Sequence, residues 1–360
     1  MNNIFSKSPY FVKFILVNIV GFFNQRMKWN SRVEKLLVKY QELDYVSYDG
    51  RFDHLIDQGL QDKTKDKKSV IRNFADIYQS KYKHKILKTS GTSGSGLIYP
   101  VSRSFLDNLW AVYWKFRACH GVYPNDWFVY FIGQEILSPR YKSSRYWLKV
   151  YPSRQLLMSQ YRLGPETVES YLNKIYNSGI KCMHGYPSTL AFFCQLIRDN
   201  GLQEKAKNCG IKFISVSSEC LSDAQKDRIE SVFHCKVVQI YGMTEGVVNI
   251  YECDQGSLHV DEYFASVDFE HCEGNDYRVV GSSFHNQALP LFKYDTQDVV
   301  ELELSSKCTC GRKSRLVKNI IGRQDDYVSL PDGRKIGRLD HIFKGMTNIS
   351  EAQIFQHKDY

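Results

Sequence analysis

The chain has 360 residues, 43% of them hydrophobic and 24% charged, a balance that suits a globular protein of two or more domains around a large buried core. Ten cysteines lie scattered without the dense spacing of a secreted disulfide scaffold, which points to a reducing cytoplasm, buried thiols and a few metal ligands. A net charge of +9 fits a solvated basic face such as "QDKTKDKK" (61–68), an anionic ligand or an anionic membrane surface, and the absence of any zinc-finger array, RNA-recognition signature or groove-spaced basic helix argues against nucleic acid.

The first element, "YFVKFILVNIVGFF" at 10–23, falls short of the ~20 apolar residues that a spanning helix needs. Lys13 and Asn18 interrupt it, and the bulky, basic "GFFNQRMKW" does not resemble a signal-cleavage site. Residues 1–40 therefore read as an amphipathic helical segment packed on the core. Peripheral attachment to the inner membrane face through Lys13, Arg26 and Lys28 is the alternative.

"KTSGTSGSGLIYPVS" at 88–102 follows. Gly91, Gly94 and Gly96 allow tight turns that expose backbone N–H groups, and Thr89, Ser90, Thr92, Ser93 and Ser95 add hydroxyls, a combination suited to phosphate oxygens. The lysine of a Walker loop is missing, and taken alone the stretch reads as a surface turn.

Strands and helices then alternate. "DWFVYFIG" (126–133) and "IKCMHGYPS" (180–188) predict short strands, the second leading into a helix at "TLAFFCQLIRD". "IKFISVSSE" (211–219) predicts a strand. "LSDAQKDRIESVF" (221–233) predicts a helix opened by a Ser222-x-x-Gln225 capping box, with Leu221, Ala224, Ile229, Val232 and Phe233 on its apolar face. "CKVVQI" (235–240) predicts a strand parallel to the first, with "YGMTEG" as the loop after it. Both loops fall at the carboxyl edge, where open α/β sheets bind ligands. From about 250 to 320 short strands predict a β-rich subdomain, with a boundary near Arg323. Cys253, His259, Cys308 and Cys310 bracket it, a thiolate and imidazole set that suits a closed zinc site, against which separate core cysteines weigh almost evenly. His271 or Cys272 are substitute ligands.

"TSGTSGSG", "YGMTEG", "YDTQD" (294–298) and "GRQDD" (322–326) stand in the order of the adenylate-forming superfamily, which includes acyl-CoA synthetases. More narrowly, "SSECLSDAQKDRIESVFHCKVVQIYGMTEG" and "CTCGRKSRLVKNIIGRQDDYV" resemble the phenylacetate–CoA ligase family. "HGYPSTL", "NQALPLFKYDTQD" and "LPDGRKIGRLDHIFKGMTNISEAQI" look like its CapK-like capsular-polysaccharide branch.

The resemblance implies an α/β adenylation core over 41–322, with parallel sheet layers and the β-rich subdomain, and a hinge with the start of a C-terminal domain over 323–360. It implies ATP-dependent activation of a small-molecule carboxylic acid as an acyl-adenylate, with magnesium, followed by transfer to coenzyme A, another thiol or an amine, in capsule or O-antigen assembly. Thr89, Ser90, Gly91, Thr92, Ser93 and Gly94 would hold phosphates. Tyr241 would lie against the adenine with Ser217, Ser218 and Glu219 at its edge, Gly242 and Thr244 sharing that loop. Glu245 would ligate magnesium, Asp298 the ribose hydroxyls and Arg323 ribose or phosphate, with Thr89, Glu245 and Arg323 serving the transfer step and Asp325 at the hinge. Similar Cys/His positions in phenylacetate–CoA ligase relatives favour structural zinc. His184 reads as a structural histidine, with a place facing the acyl pocket as the alternative.

Two departures stand out: the phosphate loop lacks a basic residue near its end, and Gln297 replaces a glycine common in the "Y-x-T-G-D" pattern. With only 35 residues after Asp325, the expectation is a truncated C-terminal domain and slow adenylation without completed transfer. A non-catalytic nucleotide-binding or scaffold relative is the alternative function; a glycan-modifying transferase using a preactivated donor is a third. The oligomeric state is not legible in the residues.

Overall fold

The computed structural model describes residues 10–42, 60–88, 98–132, 146–304, 307–323, 327–329, 335–337 and 355–356. Its helices are α1 (Tyr10–Lys28), α2 (Ser31–Glu42), α3 (Leu60–Lys63), α4 (Lys67–Arg72), α5 (Phe74–Ile77), α6 (Arg103–Ala118), α7 (Val168–Ser178), α8 (Pro187–Asp199), α9 (Gln203–Asn208) and α10 (Asp223–Phe233). Its strands are β1 (His84–Lys88), β2 (Ile98–Ser102), β3 (Phe128–Ile132), β4 (Trp147–Val150), β5 (Gln155–Ser159), β6 (Cys182–Gly185), β7 (Phe213–Val216) and β8 (Val237–Gly242). They continue with β9 (Asn249–Glu252), β10 (Leu258–Val260), β11 (Ala265–Glu273), β12 (Asp276–Ser283), β13 (Tyr294–Glu303), β14 (Leu316–Arg323), β15 (Tyr327–Ser329) and β16 (Lys335–Gly337). Two compact units result: Met1–Asn30 with Arg117–Ile240, and Ser31–Phe116 with Tyr241–Tyr360.

The first unit is a layered α/β structure with strand order β4-β5-β3-β6-β7-β8. Neighbours from β5 to β8 run parallel, and β4 joins β5 antiparallel. The register aligns Val129 with Met183, Met183 with Ile214 and Ile214 with Val237, so one face presents an unbroken apolar row. That row packs in one buried cluster with Tyr171 and Ile175 of α7, Phe193 and Ile197 of α8, and Ile229 and Phe233 of α10. Each such side chain stabilises the fold by roughly 1.5–3 kcal/mol.

The segment from β7 through α10 to β8 has the predicted form. Ser222 Oγ accepts from Gln225 N at 3.3 Å and Gln225 Oε1 accepts from Ser222 N at 3.1 Å, closing the capping box. Two details differ from the sequence reading. Ala224 is exposed, because burial on α10 begins only at Ile229, and β8 extends through Tyr241 and Gly242 before its loop starts.

Helix α1 lies along β4. Asn18 donates to Lys149 O at 3.2 Å and accepts from Tyr151 N at 2.9 Å, and a Cβ on Gly21 would meet Val150 at 2.5 Å. Lys13 is buried, so it does not present its charge at the surface as the membrane alternative requires, whereas Ile15, Ile19, Val20, Phe22 and Phe23 are exposed. Among the described residues no helix is long and apolar enough to cross a membrane.

The second unit is built on antiparallel strands in the order β11-β12-β13-β14-β10-β9, beside the separate hairpins β1-β2 and β15-β16. Three polar contacts tie this unit together. Lys115 Nζ of α6 meets Asp261 Oδ1 at 2.9 Å, Asn249 Nδ2 donates to Asp261 Oδ2 at 2.8 Å, and Arg315 grips Glu262 with two bonds of 2.7 and 3.0 Å.

Gly281 of β12 marks the tightest backbone approach in this unit, because a Cβ there would fall 2.0 Å from the carbonyl oxygen of Val247. Backbone cannot swing aside as a side chain can. Gly281→Ala is therefore expected to lower stability by about 1–3 kcal/mol, read as a lower midpoint in urea unfolding. A midpoint equal to that of the parent would show that β12 and the loop before β9 separate more easily than their packing implies.

Candidate functional site

The predicted nucleotide residues fall at loop ends in both units. In the first, Ser217, Ser218 and Glu219 follow β7 directly, at the carboxyl edge of the parallel strands. Ser218 adopts φ 67°, in the left-handed region that favours glycine. Glu219 Oε2 accepts from Ser188 N at 3.1 Å and so pins this loop to the first turn of α8.

In the second unit, Tyr241 and Gly242 end β8, and Thr244 and Glu245 occupy the turn closed by Gly246 N donating to Met243 O at 3.1 Å. Gly246 has φ 61°, and a Cβ on it would meet the Phe105 ring at 2.1 Å, so glycine is required twice over. Glu245 is buried, and its backbone carbonyl accepts from the Tyr99 hydroxyl at 2.9 Å. Burial raises the Tyr99 pKa well above the usual phenol range, which keeps it a donor. Tyr241 OH donates to Asp298 Oδ2 at 2.6 Å across 57 residues of sequence. Asp298 also pairs in register with Arg323 on β14. Gln297 holds φ 62°, and its N–H donates to Asp295 Oδ1 at 2.9 Å. Thr89, Ser90, Gly91, Thr92, Ser93, Gly94 and Asp325 lie outside the described residues.

The predicted metal residues converge. Ligand atoms of Cys253, His259, Cys308 and Cys310 all lie within 4.8 Å of one another. Cys253 Sγ and Cys308 Sγ are 3.6 Å apart, and Cys310 Sγ is 3.3 Å from His259 Nε2. A tetrahedron with metal–sulfur bonds of about 2.3 Å has edges of about 3.7 Å, so this spacing suits zinc. His259 Nδ1 is held by Ser314 Oγ at 3.0 Å, which turns Nε2 toward the sulfurs. Burial, and then the charges of Arg312 and Lys115, lower the His259 pKa to about 4, leaving it the neutral ligand a metal needs. Burial raises Cys253 to about 11, whereas on Cys308 burial is outweighed by hydrogen bonds from Ser257 and Cys310 that hold the thiol below its usual value. His271 and Cys272 sit apart on β11, where His271 Nε2 bonds Gly274 O at 3.0 Å.

Sequence reasoning named His184 but not its surroundings. His184 Nδ1 meets Ser215 Oγ at 2.8 Å, Nε2 meets Ser217 Oγ at 3.4 Å, and the imidazole centroid is 5.2 Å from that of Tyr130. Arg117, absent from the sequence reading, lies 4.0 Å from the centroid of the Phe128 ring and donates to the Tyr130 hydroxyl. Strand register makes this cluster, and only the alternation within "FVYFI" hinted at it.

No family model matches the chain. It is 27% identical over 294 residues to protein CapK of Staphylococcus aureus, covering 81% of this chain and 63% of CapK. It is 28% identical over 162 residues to phenylacetate-coenzyme A ligase of Thermus thermophilus, covering 41% of this chain and 35% of that enzyme. The chain thus spans less than two thirds of either relative. In fold it resembles 2-hydroxyisobutyryl-CoA ligase, solved in the postadenylation state with R3-HIB-AMP, at TM-score 0.57 and 14% identity, covering 96% of this chain and 75% of that one. The same ligase in an open conformation with 2-HIB-AMP and CoA matches at TM-score 0.54. The resemblance to the adenylate-forming superfamily and its CapK-like branch is borne out, and so is the α/β core.

Burial, and next the Arg117 charge, lower the His184 pKa to about 3. An unfolded histidine titrates near ~6.5, so between those values the unfolded chain binds a proton that the folded chain does not. This part of the stability is fully present above about pH 6.5 and is lost as pH falls toward 3. Thermal denaturation from pH 7 to 4.5 should show a steeper decline for the parent than for His184→Gln; parallel slopes would contradict the assignment.

Proposed function

We propose that the protein activates a carboxylic acid with ATP. An acid oxygen bonds to the α-phosphorus, the bond to the departing pyrophosphate breaks, and the acyl group of the resulting adenylate passes to a thiol or amine. The contact that carries this reading is Tyr241 with Asp298, because two motif residues remote in sequence meet at a strand edge. In this reading the Tyr241 ring lies against the adenine, with Ser217, Ser218 and Glu219 at its edge. The Asp298 carboxylate accepts from the ribose diol, having lone pairs enough to keep the Tyr241 bond as well. Arg323 serves ribose or phosphate from the strand opposite Asp298, and Thr89 to Gly94 hold the outer phosphates through backbone N–H groups and hydroxyls.

Bound magnesium would supply neutralising charge to the phosphate oxygens, and Glu245 would hold it from a turn fixed by Tyr99 and Gly246. No protein nucleophile is needed; orientation and charge carry the step. CoA accompanies the 2-HIB-AMP ligand in one similar structure, which supports coenzyme A as the acceptor. Likeness to CapK supports a place in capsule or O-antigen assembly.

A structural zinc held by Cys253, His259, Cys308 and Cys310 belongs to the same proposal, since the four donors meet at metal-ligand spacing. Purified without chelator, the protein should hold about one zinc per chain by elemental analysis, and Cys308→Ser should lose both metal and thermal stability. Stoichiometric absence of zinc from well-folded protein would remove it from the proposal.

Acid-dependent exchange of pyrophosphate into ATP tests the reaction itself. Asp298→Ala should raise the KM for ATP at least about tenfold, because two charge-assisted contacts of roughly 1.5–3 kcal/mol each disappear, and should leave the KM for the acid near that of the parent. Nucleotide binding without exchange for every acid would favour a non-catalytic relative instead.

A further inference from the structure

The two faces of the parallel strands differ in kind. Val129, Met183 and Ile214 form the buried apolar row described above, and one residue further along the same strands Tyr130, His184 and Ser215 stand in register on the other face. On that second face the preceding row is Phe128, Cys182 and Phe213, all buried. Polarity therefore begins abruptly, one step from the carboxyl ends at Gly185 and Val216.

Nothing in sheet stability asks for this change, since an aliphatic row would pack as well as the row opposite. The row continues into Ser217, which has the same parity as Ser215 and follows the last residue of β7. Its two bonds to His184 are unequal. The 2.8 Å bond from Nδ1 to Ser215 fixes the ring, and the 3.4 Å approach of Nε2 to Ser217 is too long to be a strong bond. Nε2 and the Ser217 hydroxyl can thus turn to a third partner without breaking the bond that orients the imidazole. Behind them, Arg117 fixes the Tyr130 hydroxyl.

We infer that Tyr130, His184 and Ser217 form a wall of the acid subsite, and that the acid carries a hydroxyl, amide or similar hydrogen-bonding group besides its carboxylate. His184 is the specificity-determining residue. This rests on the ligase reading, which puts Ser217 beside the nucleotide and hence the reacting carboxylate nearby. Hydrocarbon acids such as phenylacetate or a fatty acid would leave these groups unmatched. A site built to hydrogen-bond its substrate rejects the analogue lacking that group by up to roughly 10⁴-fold, far more than a purely apolar pocket achieves against a lost methylene. The lowered His184 pKa is consistent with an imidazole that stays neutral and so can donate or accept.

The test uses the full chain with acids paired to differ only in one polar group: propionate with lactate, and phenylacetate with 4-hydroxyphenylacetate. In pyrophosphate exchange the polar member of at least one pair should have a kcat/KM more than tenfold higher. His184→Leu should cut that preference to threefold or less, His184→Gln should keep most of it, and neither should move the KM for ATP more than twofold. Equal or better use of the hydrocarbon member of both pairs overturns the inference, and so does a preference that survives His184→Leu. If no acid supports exchange, the ligase reading falls and the inference is judged by the imidazole nitrogen resonances of His184 in labelled protein. A shift with the polar acids alone keeps it as a binding site, and no shift with any acid sinks it.

Discussion

The parallel register of β3, β6, β7 and β8 is the constraint on which the first unit depends. Side chains alternate along each strand, so a slip of one residue would carry Met183 and Ile214 to the face that now holds His184 and Ser215. It would also bury the polar row against α7, α8 and α10. The apolar face resists such a slip, because the cluster from Val129 to Phe233 closes only in one alignment. Hydrophobic burial on one face thereby fixes hydrogen-bonding groups on the other, and a folding force without direction acquires positional accuracy at the loop after β7.

The second unit reaches comparable accuracy through buried charge. Lys115 and Asp261 are both almost inaccessible to water, and their mutual attraction, with the Asn249 bond, must offset the cost of removing two ions from solvent. Such pairs add little net stability over an apolar replacement. What they enforce is alignment, since losing either partner would strand a charge in the interior. Glu262, adjacent in sequence, is gripped at both oxygens by Arg315, so the turn after β10 is anchored to α6 by one acid and to the start of β14 by the next. Cys253, His259, Cys308 and Cys310 flank these anchors, which explains how residues separated by 55 positions arrive at ligand spacing.

Local chemistry made much of this legible beforehand. The capping box at Ser222 and the glycine-bearing turn after β8 follow from residues within a few positions of one another, and the parallel pairing of β7 with β8 follows from the one helix between them. The Cys/His set was readable as one of two almost evenly weighed alternatives, and it is the fold that brings the four donors together. Contacts set by register were not readable. Nothing near Tyr130 in the sequence announces that it stands beside His184, or that Arg117 donates to its hydroxyl. Burial of Lys13 decides between the packed helix and its membrane alternative, and a lysine in an apolar run does not reveal its neighbours in space.

Gln297 shows how a turn can keep its shape when a glycine is replaced. Where the related pattern carries glycine, this chain holds a left-handed backbone with a side chain attached, at a cost of roughly 1–2 kcal/mol. Two local bonds act against that cost: Gln297 N–H donates to Asp295 Oδ1 at 2.9 Å, and Asp298 N–H donates to Thr296 Oγ1 at 3.1 Å. Both acceptors are short polar side chains that immediately precede the strained residue, so the turn is held by its own sequence and needs no distant packing. Asp298 therefore keeps its orientation toward Tyr241 despite the missing glycine. The same left-handed conformation recurs at Ser218, in the other loop expected at the nucleotide. Strained non-glycine backbone persists where its surroundings over-determine it and clusters at ligand sites. Left-handed backbone also occurs at Arg154, His234 and Lys293, so it is the side-chain bonds within 295–298, more than the strain itself, that set the geometry in which Asp298 meets Tyr241.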